Sequence, residues 1–205
     1  MHKEILSTEQ QIILPLVKEF GREYYLAGGT AVALYLGHRR SIDFDLFKPT
    51  SLNIKKNISR ISEYGLPFTV TRRVPEQMNI TVGGVKLTFL EYPFKIEGSI
   101  RFEDIIKVPE LIDLAAMKAY ALGRRSKWKD YVDLYFILKY AYSIRQISAR
   151  ASEIFDQLFS EKLFRAQLSY FNDIDYSEQV EYVVPEVPED EIRAWLTETS
   201  LAVDL

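Results

Sequence analysis

The sequence predicts an α+β fold, a small mixed β-sheet core followed by a helical half, and three observations carry that prediction. A short apolar strand runs into Gly28-Gly29 and then an apolar helix; two alternating runs flank Gly83-Gly84; and helical periodicity dominates after Pro109. A chain of 205 residues is one compact domain or one domain with a modest extension, and we divide it into a core over 1–108 and a helical region with an acidic C-terminal segment over 109–205.

Ser7 and Gln10 have the spacing of a capping box, and Ile12, Ile13, Leu16, Val17 and Phe20 continue at helical spacing to Gly21, with Pro15 against an unbroken helix. Tyr24 to Ala27 reads as a strand, Gly28-Gly29 as a turn, and Thr30 to Leu36 as a helix stopped at Gly37. Ile42 to Phe47 alternates with period two, a second strand, and a helix follows from about Leu52 to Tyr64. A two-residue turn at Gly83-Gly84 pairs Val82 with Val85, Ile80 with Leu87 and Met78 with Phe89, leaving Asn79, Thr81, Lys86 and Thr88 on the other face. Pro109 suits a first helical position, with helices to Leu122 and from about Lys127 to Ala141. Helix continues after Ser143, an acidic connection spans Asn172 to Pro188, and a last helix covers about Glu189 to Ala202.

Composition excludes several classes. At 47% hydrophobic and 27% charged the chain buries a core and is not disordered. The absence of cysteine removes disulfides, cysteine zinc sites and thiol nucleophiles, and suits a reducing compartment. No signal-peptide pattern and no run of about 18 apolar residues is seen, so the expectation is a cytoplasmic protein without a membrane partner. The net charge of −3 hides an asymmetry: residues 1–150 carry 23 basic against 16 acidic side chains, and residues 151–205 carry 3 against 13. A basic first part attracts polyanions and an acidic tail repels them, although two solvated faces of opposite sign explain the same numbers.

Two constellations carry chemistry. Asp43 and Asp45 share one face of their strand while Phe44 and Leu46 take the other. Side-by-side carboxylates repel unless a divalent cation sits between them, and such pairs hold Mg²⁺ in phosphoryl and nucleotidyl transfer. The glycines of Gly28-Gly29-Thr30 open a helix whose exposed N–H groups suit a phosphate. Each feature alone reads more simply as a tight turn or a solvated strand face; their joint occurrence in this order favours function. The second constellation is Lys118 on the apolar side of its helix, with Asp130 on an apolar stripe of the next helix and Asp133 beside it. A structural ion pair between the helices and a role at the site are about equally supported. Arg39 and Arg40 precede the carboxylate strand, and Arg124, Arg125, Lys127 and Lys129 cluster between the helices; both groups are phosphate contacts or solvated loops. Tyr24, Tyr25 and Trp128 read as packing, because no periodic aromatic platform accompanies them.

The segment Tyr25-Leu26-Ala27-Gly28-Gly29-Thr30-Ala31 through His38-Arg39-Arg40-Ser41-Ile42-Asp43-Phe44-Asp45-Leu46-Phe47, with Leu114 to Lys118, Arg125, Lys129-Asp130 and Asp133-Leu134-Tyr135, resembles the AbiEii-type toxin family of nucleotidyltransferases over roughly residues 5–140. The resemblance implies a minimal nucleotidyltransferase fold and transfer of a nucleotide from an NTP, with tRNA ends as acceptor in some members and a cognate antitoxin as partner. Carried over, Gly28, Gly29 and Thr30 hold the triphosphate, Asp43 and Asp45 bind Mg²⁺ (or Mn²⁺), Lys118 meets a phosphate and Asp130 completes the site, with Arg39 and Arg125 as further nucleotide contacts. One position departs from the family pattern: Thr88 stands where a third acid is often found, and Glu91 has the opposite strand parity. The expected function is therefore Mg²⁺-dependent nucleotidyl transfer to RNA by the toxin of a toxin–antitoxin pair. The alternatives are transfer to a small-molecule hydroxyl, or a noncatalytic NTP- or partner-binding member of the fold.

Overall fold

A computed structural model describes residues 1–202; the end of the region read as 109–205 lies outside the described residues. After a short 3-10 turn at Lys3–Ile5, the N-terminal helix is broken in two: α1 (Thr8–Ile12), capped by the Ser7–Gln10 box, and α2 (Leu14–Phe20). Pro15 sits in the first turn of α2, where its missing N–H costs nothing, whereas inside a continuous helix it would remove a hydrogen bond and collide with a carbonyl. The chain then forms β1 (Tyr25–Ala27), α3 (Gly28–Leu36), β2 (Asp43–Lys48) and α4 (Ile54–Glu63). Gly28-Gly29 is not a separate turn but the first two residues of α3 itself.

Five strands complete the sheet: β3 (Phe68–Val74), β4 (Gln77–Val82), β5 (Val85–Glu91), β6 (Ile100–Phe102) and β7 (Ile106–Val108). The order is β3-β4-β5-β2-β1-β7-β6, mixed as expected. The β4–β5 register is the predicted one, and both glycines of its turn have positive φ, +55° at Gly83 and +85° at Gly84, as a type I′ hairpin requires. The sequence reading missed β3, β6 and β7, of which β6 and β7 are three residues long and too short to show a period.

Beyond Val108 the described chain holds α5 (Leu111–Leu122), α6 (Trp128–Tyr140), α7 (Ile144–Phe155), α8 (Glu161–Leu168) and α9 (Glu189–Leu201). Pro109 falls outside α5, contrary to expectation: Glu110 is the N-cap, and the Pro109 carbonyl accepts the Tyr35 hydroxyl at 2.8 Å.

The period of two decides which face does what. Phe44 and Leu46 on β2, Leu87 and Phe89 on β5, and Met78 and Ile80 on β4 are fully buried on one face, where Phe20 of α2 meets the Phe89 ring edge-on at 4.8 Å. Each such side chain contributes about 1.5–3 kcal/mol by leaving water. The opposite face presents Asp43, Asp45, Lys86, Thr88, Gln77 and Asn79 toward α5 and the start of α6. Both parts of the chain share one hydrophobic core.

Candidate active site

The site begins where β1 hands over to α3. Antiparallel pairing sets Ala27 opposite Asp45, so the first residue of α3 lies against that carboxylate. Gly28 adopts φ +68°, and a Cβ there would stand 2.0 Å from Asp45 Oδ2. Gly28→Ala therefore combines backbone strain with a collision at the carboxylate, and it is expected to lower the melting temperature; a variant that melts with the parent contradicts this. Thr30 is buried, its hydroxyl 2.9 Å from Ser41 Oγ and bonded to the Asp43 carbonyl, which ties the helix start to the strand.

Parallel pairing of β2 with β5 places Thr88 beside Asp45 and Lys86 beside Asp43. Lys86 Nζ donates to Asp43 Oδ2 at 3.0 Å. Burial pushes the Asp45 carboxyl above its ordinary value and the neighbouring Asp43 charge pushes it further, against the opposing pull of Lys86, Thr88 and Arg125. A carboxylate held in that state gains from a cation. Among the described residues no cluster of three or more acid or imidazole groups forms a closed metal cage. Two carboxylates side by side, with remaining positions left for phosphate oxygens and water, fit the way Mg²⁺ is usually held. Thr88 supplies a hydroxyl and no carboxylate at the third position, and Glu91 lines a separate hollow with Pro75 and Glu76.

Beneath these groups lies a buried charge network that the sequence showed only in outline. Asp133 is fully buried and receives Arg39 Nε at 2.7 Å, Arg39 Nη2 at 2.8 Å, Lys118 Nζ at 2.7 Å and the His38 ring at 2.8 Å. Lys118 also donates to Asp130 Oδ1 at 2.5 Å, and Arg125 reaches Asp130 Oδ2 at 2.9 Å. The ion pair between Lys118 and Asp130 thus exists, and Lys118 lines two cavities as well. Arg39 is 1% exposed and its third donor group serves the Arg40 carbonyl. A buried guanidinium needs a carboxylate, so Arg39 lies as a support behind Gly29 rather than as a free phosphate clamp. Arg125 is half exposed and faces the cleft.

Burial pushes the Asp133 carboxyl up, but Arg39, Lys118 and the His38 hydrogen bond outweigh it and hold it well below the ordinary carboxylate range. For His38, burial pushes the ring down and wins over Asp133, so it is neutral in the fold. The unfolded chain takes up a proton on His38 near its ordinary value of 6.5 that the folded site refuses. Stability should therefore fall as pH drops through that value, and fall again below the ordinary 3.8 of Asp133, whose folded form resists protonation. Thermal melting followed from about pH 8 down to about pH 2 checks both steps, and a flat profile down to about pH 4 contradicts the first.

The acidic connection returns to this site. Arg40 N donates to the Glu181 carbonyl at 2.8 Å and Val183 N to the His38 carbonyl at 3.0 Å, while Trp128 N and Asp175 N complete a second contact near Ser126. Glu178 bonds Lys127, lies 3.4 Å from Lys129, and lines the smaller of two cavities with Asp43 and Asp45. The larger of the two cavities that Lys118 lines, about 420 Å³, adjoins Gly28, Asp45 and Thr88 under α5. The sequence reading missed Glu178 and Lys86 as site residues; the strand parity of Lys86 was the available signal, and Glu178 had none. Tyr24, Tyr25 and Trp128 are buried, as packing requires. Among the described residues no helix is long and apolar enough to cross a membrane.

Comparison with known proteins adds three findings. A family model described as nucleotidyl transferase AbiEii toxin, type IV toxin–antitoxin system, matches residues 16–198. An uncharacterized protein of Aquifex aeolicus (strain VF5) is 29% identical over 178 residues, covering 82% of this chain and 84% of its own. Among solved structures, the nucleotidyltransferase toxin MenT4 of Mycobacterium tuberculosis H37Rv superposes with a TM-score of 0.59 at 13% identity, over 93% of this chain and 81% of that one. JHP933 of Helicobacter pylori gives 0.58 at 16% identity, over 95% and 91%. At such identities the two structures show a shared fold.

Proposed function

Because the chain belongs to the AbiEii nucleotidyltransferase toxin family, we propose that it is the toxin of a toxin–antitoxin pair and moves a nucleotide from an NTP to RNA, with tRNA as the expected acceptor. The observation that carries the reading is the contact of the α3 start with the paired carboxylates, Gly28 directly against Asp45. N–H groups at a helix start favour phosphate, and the adjacent carboxylates favour the cation that accompanies a triphosphate. Asp43 and Asp45 would hold Mg²⁺ (or Mn²⁺), which neutralises triphosphate charge and eases attack by a hydroxyl.

The chain's own residues divide the remaining work. Gly28 and Gly29 admit the phosphates without a Cβ in the way, and Thr30 fixes the helix start to β2. Lys118 and Arg125 place positive charge on the cleft wall, each oriented by Asp130. Asp133 fixes Lys118 and Arg39 from behind. With Thr88 beside Asp45, the acceptor hydroxyl must lose its proton to a group other than residue 88.

One observation favours a second acceptor class. Glu178 sits on the cavity edge and offsets Lys127 and Lys129, which suits a cationic small molecule bearing a hydroxyl better than an RNA backbone. The deciding experiment incubates the protein with Mg²⁺, each α-labelled NTP and total RNA or a panel of polycationic hydroxyl compounds, beside an Asp43/Asp45 double alanine variant. Label in a tRNA-sized band that the variant fails to give supports the first reading, and label only in the small compounds replaces it with the second. NTP binding without label in any acceptor makes this a noncatalytic member of the fold. Suppression of growth inhibition by a protein encoded beside it tests the antitoxin.

A further inference from the structure

The larger cavity beside Lys118 has apolar walls that the phosphate and metal chemistry does not use. From Gly28 and Asp45 it runs along β2 and β5 past Thr88 to Phe47, Leu90 and Tyr92, and α5 closes it with Leu114, Met117 and Tyr120. The apolar and aromatic side chains of this cavity of about 420 Å³ suit a flat heterocycle, and Lys86, Lys118, Arg124 and Arg125, which also line it, suit the phosphates attached to one. Two amides interrupt the apolar wall. Gln77 and Asn79 lie on the same face of β4, Asn79 next to Thr88 and Gln77 next to Leu90, and Gln77 Nε2 donates to Asn79 Oδ1 at 2.9 Å. That bond leaves the Gln77 carbonyl oxygen and the Asn79 amino group without a protein partner among the described residues. Turning both amides over exchanges the two roles and still presents one acceptor and one donor side by side. Adjacent donor and acceptor atoms are the pattern by which side-chain amides read the edge of a base.

We propose that this cavity is a nucleobase pocket and that the Gln77–Asn79 pair reads the base edge, which makes these residues determinants of nucleotide choice. The inference rests on the nucleotidyl-transfer reading. The base belongs either to the incoming NTP, whose phosphates then lie at Gly28, or to the terminal nucleotide of the acceptor, whose hydroxyl then approaches Asp45 past Thr88. Both sources present the same chemistry to the pocket.

The test uses the full chain and the variants Gln77→Met and Asn79→Leu, which come close to the original side-chain length and remove the amide donor and acceptor atoms. Three readouts are compared: competition binding of ATP, GTP, CTP and UTP; binding of inorganic triphosphate; and label transfer to RNAs ending in each of the four nucleotides. The parent protein is expected to prefer one base by at least about tenfold, and each variant to lose about tenfold or more of that preference, with triphosphate affinity unchanged. Loss of NTP preference assigns the pocket to the donor nucleotide; loss of preference among acceptor ends assigns it to the acceptor. Preferences of both kinds that survive in both variants overturn the inference, as does a parent that treats all bases alike. Failure to bind inorganic triphosphate or any NTP overturns the nucleotidyl-transfer reading itself, an outcome separable from failure of the pocket.

Discussion

Asp133→Ala is expected to be the most destabilising single substitution in the site, costing about 3–5 kcal/mol. The carboxylate it removes is the common partner of Arg39, Lys118 and His38, all buried, so the change leaves the Arg39 guanidinium without a counterion in a place water does not reach and Lys118 with Asp130 alone. For a domain of this size the melting temperature should fall by about 6–20 °C. Joint replacement of Arg39 and Asp133 by Met and Leu removes charge from both sides and should recover part of the loss, with Lys118 still paired to Asp130. A melting temperature for Asp133→Ala within about 2 °C of the parent contradicts the account.

Asp45→Asn separates activity from stability. It keeps the shape of the side chain beside Gly28 and Thr88 and removes one of the two carboxylates proposed to hold the cation, so nucleotidyl transfer should fall by about 10³-fold or more. Burial and the neighbouring Asp43 both disfavour the ionised form of Asp45. An uncharged amide should therefore leave the melting temperature unchanged or raise it. Residual transfer above about a tenth of the parent's rate removes Asp45 from the reaction; a lower melting temperature means that its charge stabilises the fold.

Much of this architecture was legible in the chain because it rests on short-range rules. Alternation over Ile42 to Phe47 is enough to put Asp43 and Asp45 on one face, and two glycines with positive φ are enough to set the β4–β5 register. Pro15 was a visible warning, and the helix does divide there. What local rules could not supply was the partner of each charge. Lys118 was expected to meet an anion, yet its second partner, Asp133, also gathers Arg39 and His38 from the other end of α3. Arg39, read as a surface clamp, is drawn inside because that carboxylate is there to receive it.

By itself the sequence determined the strand faces, the helix over Thr30 to Leu36, the hairpin turn and the family, since each depends on residue types a few positions apart, while the structure extended that helix back to Gly28. Only the tertiary structure decided that Thr88 lies beside Asp45, because parallel strands joined through a long connection have no tight turn to set their register. The same holds for the acidic connection, whose charge was plain and whose destination was not: backbone bonds to His38 and Arg40 bring Glu178 to the edge of the cavity that holds Asp43 and Asp45. Charge count is a property of the chain; where a charge acts is fixed by packing between segments more than a hundred residues apart.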